Sequence, residues 1–306
     1  MYLRLLTFFM ILAVAGFAQP KLEGRWDLTV DRGDQKEVPS WLEVKHSGIN
    51  MLVGYFVAPD GGSARPVARV NTNGAGFSFA IPPQWEAGKN DLTVEGQWTG
   101  DKMTGTMIMP DGKKYSFTGN RAPSLEQSGT VSWGAPIKLL NGKNTEGWHA
   151  SGAKNQWVVE NGVLKSPASG SNLITDQKFT DFKLHIEFKY PPHSNSGVYL
   201  RGRYEVQVED GLEEPSNVGI GGIYGYIIPN QRFTKGPGEW QVYDITIIGR
   251  RVTVVANGKT IICDQVIPGI TGGALDSKED EPGPIMLQGD HGPIEYRNIV
   301  ITPRKQ

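Results

Sequence analysis

The chain has 306 residues, 38% hydrophobic and 21% charged, with 39 Gly, 20 Pro and a formal net charge of -1. That length accommodates two domains, and a near-neutral charge with no long basic or acidic run excludes the broad positive field of a nucleic-acid binder. The single cysteine, Cys263, excludes an internal disulfide and a cluster of thiol metal ligands.

The opening "MYLRLLTFFMILAVAGFAQPK" sets Arg4 before an apolar run from Leu5 to Phe17 that ends in the small-residue stretch Gly16-Phe17-Ala18. This layout predicts a secretory signal peptide over residues 1–18, cut after Ala18. The run is short for a membrane span, so the mature protein is expected to be exported, periplasmic or secreted, with no transmembrane segment after cleavage.

Residues 19–122 read as short strands divided by turn signals: "GRWDLTV", "WLEVKHSG", "MLVGYFVAP", "ARPVARV", "AGFSFAI", "DLTVEGQWTG", "KMTGTMIMP" and "KYSFTGN", with "PDGG", "TNGAG", "TGDK" and "PDGKK" between them. Up-and-down pairing into a small antiparallel β-barrel closes the edges of such a series. The Gly-x-Trp of "GRWDLTV" resembles the start of lipocalin-like barrels, which implies a Trp plugging one end.

Residues 123–134, within "RAPSLEQSGTVSWG", lose the alternation and are rich in Ser, Gly and Pro, which suits a linker. From 135 to 306 a second strand series begins: "PIKLLNG", "WVVENGVLKS", "NLITDQKF", "DFKLHIEFKY", "SGVYLRG", "YEVQVED", "GGIYGYI", the long "WQVYDITIIGRRVTVVANGKTIICDQ", "GPIMLQGD" and "IEYRNIVITP". No segment carries a helical period, and two packed sheets in a β-sandwich or jelly roll are expected. Cys263, flanked by Ile261 and Ile262, reads as a buried structural thiol.

Side chains alternate between the faces of a strand, so parity sorts this domain's polar residues. Opposite the apolar sets fall Glu187, Tyr199, Arg201, Glu205, Gln207, Gln288 and Arg297, with Asp210 and His291 at strand ends. Carboxylates, amides and aromatic rings on one face suit a polyhydroxylated ligand, so the expected partner is a carbohydrate. Taken singly, each residue is equally readable as part of a solvated strand face.

In order, "LLNGKNTEGW", "WVVENGVLKS", "FTDFKLHIEFKY", "NSGVYLRG", "YEVQVED", "GIYGY", "GEWQVYDI", "ANGK" and "IMLQGDHGPIEYRNIVI" resemble the 3-keto-disaccharide hydrolase domain family, a concanavalin-like jelly roll formerly known as unknown-function domain 1080. The resemblance covers about Ile137 to Thr302 and leaves the first domain unexplained. It implies cleavage of glycosides oxidised at C3, by removal of the C2 hydrogen, expulsion of the C1 substituent and hydration. Such a route needs a general base, an oxyanion donor and an acid. The expected roles are Glu187 or Glu205 as base, Arg201 and Arg297 at the enolate oxygen and His291 as acid or relay, with Asn195, Tyr199, Gln207, Asp210, Tyr224 and Gln288 binding substrate.

Two other functions compete. "EVQVE" looks like the Glu-x-Asp-x-Glu signature of jelly-roll glucanases with Gln in the middle, although carboxylates four apart on a strand are roughly 13 Å apart at Cα and retaining cleavage needs them about 5–5.5 Å apart. A non-catalytic sugar-binding module has the same fold. No cofactor is indicated. A divalent metal on Asp210, His291, Glu187 and Asp290 is an open alternative without tight ligand spacing, and the oligomeric state is not readable.

Overall fold

The computed structural model describes residues 21–33, 37–127, 129–211 and 214–305, all β-strand, turn and loop. The expected signal peptide lies outside these residues, and no described helix is long and apolar enough to cross a membrane.

Strands β1 (Gly24–Asp31), β2 (Glu37–Ser47), β3 (Met51–Ala58), β4 (Gly61–Asn73), β5 (Gly76–Ile81), β6 (Leu92–Thr99), β7 (Lys102–Ile108) and β8 (Lys114–Arg121) pair in sequence order. The barrel closes where β8 meets β1. Alternate residues such as Leu28, Val30, Leu42, Val44, Phe79, Val94 and Phe117 fill its interior. Trp26 is fully buried at one end, where its indole N–H donates to Leu22 O at 2.9 Å and the Arg121 guanidinium lies 3.8 Å above its ring. The ring thereby joins the barrel's apolar interior to a cation at its rim.

Two sheets form the sandwich. The first contains β10 (Trp148–Ala150), β13 (Leu173–Phe179), β15 (Asn195–Leu200), β16 (Tyr204–Glu209) and β20 (Gly283–Leu287), in the spatial order β10-β13-β20-β15-β16. The second runs β11 (Val158–Glu160), β12 (Val163–Ser166), β21 (Ile294–Pro303), β14 (Phe182–Lys189), β17 (Gln241–Ile248), β18 (Arg251–Ala256) and β19 (Lys259–Val266), with β9 (Ile137–Lys138) added against β21. Leu184, Ile186 and Phe188 of the second sheet meet Val198, Leu200, Val206, Val208, Ile285 and Leu287 of the first in one core. Asn257 and Gly258 both take positive φ at the tight turn from β18 to β19, the geometry of an Asn-Gly hairpin.

Two local expectations are corrected. "GGIYGYI" forms no strand: apart from isolated bridges through Ile223 it is a run of turns along the edge of β16, because its three glycines favour turns over a ladder. Cys263 is exposed, because the register shifts between β18 and β19 break the simple alternation inferred from its isoleucine neighbours.

The two domains share a core of their own. In β2 the consecutive residues Ser40, Trp41 and Leu42 are all buried, and in β3 so are Phe56, Val57 and Ala58. Strict alternation would leave one residue of each triplet in water. Trp41 and Val57 instead point out of the barrel and pack with Ile270 and Ala274 of the sandwich, against which Ala64 and Tyr226 also lie. Trp41 meets Tyr226 edge-on at 5.7 Å. Around this cluster Arg25 Nη1 donates to Pro268 O at 3.0 Å and pairs with the buried Glu279 at 3.4 Å, while Ser277 Oγ donates to Leu28 O at 2.5 Å. Burial and the neighbouring Glu279 push the Asp27 carboxyl, on the same face of β1, up to about 9.

Candidate functional site

The outer face of the five-stranded sheet is the floor of a cleft of about 460 Å³. Its centre is the β15–β16 pair, in which Tyr199 stands opposite Glu205 and Gly197 opposite Gln207. Because Val198 and Leu200 belong to the core, Tyr199 turns to the outer face, and the same alternation on β16 sends Glu205 and Gln207 outward between Val206 and Val208. Asn195, Gln288 and Tyr224 line the floor beside them, and Asp290 and His291 stand at one end.

Glu205 is buried to 2% exposure. Its Oε2 accepts from the Tyr199 hydroxyl at 2.9 Å, while Oε1 has no hydrogen-bond partner. Burial pushes the carboxyl up to about 8; the Tyr199 hydrogen bond opposes that rise and the charge of Asp290 adds to it. Tyr199 also lies 2.9 Å from Gly272 O. Its one proton therefore has two acceptors, and it can turn from the carbonyl to the carboxyl as Glu205 becomes charged.

Gly197 makes room for this carboxyl. A Cβ there would overlap Glu205 Oε1 and crowd Cγ and Cδ, so the side chain lies across the strand where another residue would stand. Asn195 Oδ1 and Gln288 Oε1 are also buried without partners. Gln207 Oε1 accepts from Val208 N at 3.0 Å, leaving its amide NH₂ as the end available to the cleft. Buried polar groups are ordinarily satisfied, so three open acceptors in one cleft mark a place built for hydroxyl donors. At the mouth, Asp290 Oδ1 is 2.7 Å from His291 Nδ1, and this hydrogen bond holds the imidazole above its usual pKa against the opposing effect of burial.

The opposite wall comes from the barrel, through Asp60, Gly61, Gly62 and Trp85. Gly61 and Gly62, the turn of "PDGG" between β3 and β4, both have positive φ, and a Cβ on Gly272 would collide with the backbone of Gly62. Glycine at 272 allows the two main chains so close, while Gly61 and Gly62 supply the positive φ of the barrel-side turn. Trp85, 57% exposed, projects from the loop between β5 and β6. Arg65 fixes that loop by donating to Pro82 O at 3.0 Å and to Glu86 Oε1 at 2.7 Å, while Glu86 Oε2 accepts from Gln84 N and Trp85 N.

Against this geometry, a family model described as the 3-keto-alpha-glucoside-1,2-lyase-like domain matches residues 135–302, more than half of the chain. The chain belongs to that family. Membership makes the sandwich a carbohydrate-active enzyme domain. A segment of 75 residues is 31% identical to the 3-keto-disaccharide hydrolase of Bacteroides thetaiotaomicron, covering 21% of this chain and 26% of that protein. The match thus spans about a quarter of the curated relative's length. Among solved structures, a candidate glycosyl hydrolase from Parabacteroides distasonis is 33% identical, with 57% of this chain and 92% of that one covered and a TM-score of 0.46. Another from the same organism is 26% identical over 55% of this chain and 98% of that one, with a TM-score of 0.43.

Of the residues singled out by sequence, the cleft gathers Glu205, His291, Asn195, Tyr199, Gln207, Tyr224 and Gln288. Four others lie elsewhere. Glu187 and Arg297 belong to the second sheet, whose outer face is on the far side of the sandwich. There Arg297 Nε donates to Glu187 Oε2 at 2.6 Å and Asn298 to Oε1 at 2.6 Å, and the guanidinium rests 3.9 Å from the centre of the Trp240 ring. Burial works against the ionised Glu187, but the Asn298 and Arg297 hydrogen bonds prevail and hold its pKa below the usual value. Arg201 occupies the turn between β15 and β16 with positive φ, donates to Gly249 O at 2.7 Å and lies over Tyr204. Asp210 accepts from His193 N at 2.9 Å beyond the end of β16.

Among the described residues no three or more His, Cys, Asp or Glu side chains gather in metal-ligating range. The barrel wall escaped the sequence reading. Trp85 sits in the turn-like "PPQWEAGKN", where nothing local separates a cleft residue from a loop residue; the signal that could have revealed the interface, also missed, is apolar Trp41 and Val57 at the outward parity.

Proposed function

We propose that this protein is exported and cleaves glycosides whose sugar carries a ketone at C3, by elimination across C2–C1 followed by hydration. The observation that supports this reading is the Glu205 carboxyl, buried, raised to about 8 and with Oε1 unpartnered in the floor of a cleft beside the unpartnered oxygens of Asn195 and Gln288. A desolvated carboxylate is a stronger base than one in water, which suits removal of a C–H proton beside a ketone.

In the proposed sequence, Glu205 Oε1 takes the C2 proton and the C–H electrons form the C2=C3 bond of an enolate whose charge rests on the C3 oxygen. The enolate then collapses, re-forming C3=O and making the C1=C2 bond. The C1–O bond breaks, its electron pair leaves with the departing oxygen, and His291 supplies that oxygen's proton. Water then adds across the double bond: hydroxide to C1, the Glu205 proton back to C2, and the remaining proton of that water to His291. Tyr199 follows the charge on Glu205 by turning between Oε2 and Gly272 O. The Gln207 amide and the Tyr224 hydroxyl are donors for the ketone oxygen, and Asn195 and Gln288 accept from ring hydroxyls.

The test is product release by the purified protein from a glucoside and from its 3-keto derivative, with Glu205→Gln and His291→Ala beside the wild type. Release from the 3-keto compound alone, lost in both folded variants, is the expected result. Equal cleavage of the unoxidised glucoside would replace elimination by direct hydrolysis. Binding without release would replace catalysis by simple recognition.

A further inference from the structure

Trp85, Asp60, Gly61, Gly272 and Gly273 each line two cavities at once. One is the polar cleft over Glu205. The other, about 490 Å³, opens on the barrel side and is walled by Val38, Pro39, Val57, Ala58, Pro59 and Ala274. The two chambers therefore share a wall that includes Trp85, yet their chemistry differs sharply.

We propose that the barrel-side chamber is the subsite for the leaving group and takes a planar, apolar aglycone. The inference rests on the reading of the polar cleft as the sugar site. The second chamber offers little to a sugar ring. Its charged side chains, Arg32 and Asp60, are paired with each other at 3.0 Å, and the Thr271 hydroxyl is already engaged by Arg203 O and Glu205 N. Apart from Asp60 Oδ1, which lies near Arg32 but makes no hydrogen bond, hydroxyls entering there would find few partners to replace the water they lose. An aromatic ring would instead meet aliphatic walls and the indole of Trp85, a residue 57% exposed although its loop is held in place by the Arg65–Glu86 pair. A rigidly mounted, exposed aromatic at the junction of two cavities is a stacking platform.

The arrangement assigns the barrel a function: it selects the leaving group while the sandwich holds the sugar. Calorimetric binding of unoxidised phenyl and methyl glucosides tests this without any chemistry. The phenyl compound should bind about tenfold more tightly, as expected for one buried ring and one ring pair. In Trp85→Ala that preference should fall below about threefold, and Trp85→Phe should recover most of it. With the 3-keto derivatives, the phenyl-to-methyl ratio of kcat/KM should change in parallel. Equal binding of the two glucosides, undetectable phenyl binding, a preference indifferent to Trp85, or stronger binding by a disaccharide than by the phenyl glucoside would each overturn the proposal. Failure of the 3-keto chemistry with the Trp85-dependent preference intact would instead refute the proposed reaction and leave the aglycone subsite standing.

Discussion

Replacing Glu205 by Gln should abolish turnover and stabilise the protein, in a manner that depends on pH. The side chain is fully enclosed and its pKa rises from the usual 4.5 to about 8. A carboxyl raised in the folded state favours folding fully below its unfolded pKa, and the advantage is lost as pH climbs through the folded value. The gap, at about 1.4 kcal/mol per pH unit, amounts to about 5 kcal/mol of destabilisation when Glu205 is forced to ionise in place. A Gln keeps the shape and still accepts from Tyr199 but never acquires the charge. Urea unfolding of both proteins should therefore give a difference of less than about 1 kcal/mol at pH 5 and several kcal/mol in favour of the variant at pH 9. Turnover of the 3-keto substrate should fall by about 10²- to 10⁴-fold at the pH optimum. An equal stability difference at the two pH values would refute the account of Glu205 as a desolvated, strained base.

Four other outcomes are expected. The kcat/KM profile should be a bell governed by Glu205 ionising near about 8 and His291 losing its proton; because Asp290 raises both pKa values, Asp290→Asn should move both limbs to lower pH. Gly197→Ala should cost at least about tenfold in kcat/KM with the fold retained by circular dichroism, because the new methyl displaces the Glu205 carboxyl. Glu187→Gln, on the far face, should leave kcat/KM within about twofold of wild type, as for surface changes remote from a site. Trp41→Ala should lose about 3–5 kcal/mol and split one calorimetric unfolding transition into two, since the indole is the largest member of the cluster joining the domains.

The division between what sequence showed and what it hid has a physical origin. Alternation placed Glu205 and Glu187 outward alike, and both do face outward. It carried no information on which of the two sheets each strand joins. That depends on the order β10-β13-β20-β15-β16, in which strands far apart in the chain become neighbours. Hence one carboxylate reached the cleft and the other the opposite surface, paired with Arg297. Arg201 escaped the parity rule for a different reason: it belongs to a turn, where positive φ redirects the side chain toward Gly249. The closed barrel was legible because its hairpins are local, with each strand pairing with the next.

The strip formed by Trp41 and Val57 also bears on how the chain is made. All eight barrel strands are complete by Arg121, yet the residues that cover this strip, Ile270 and Ala274, emerge roughly 150 residues later. At 5–20 residues per second that interval is on the order of ten seconds, during which a finished barrel presents bare indole and isopropyl groups to its surroundings. Any holding factor that shields nascent chains should find its target there, and a barrel released without its sandwich should self-associate through the same strip.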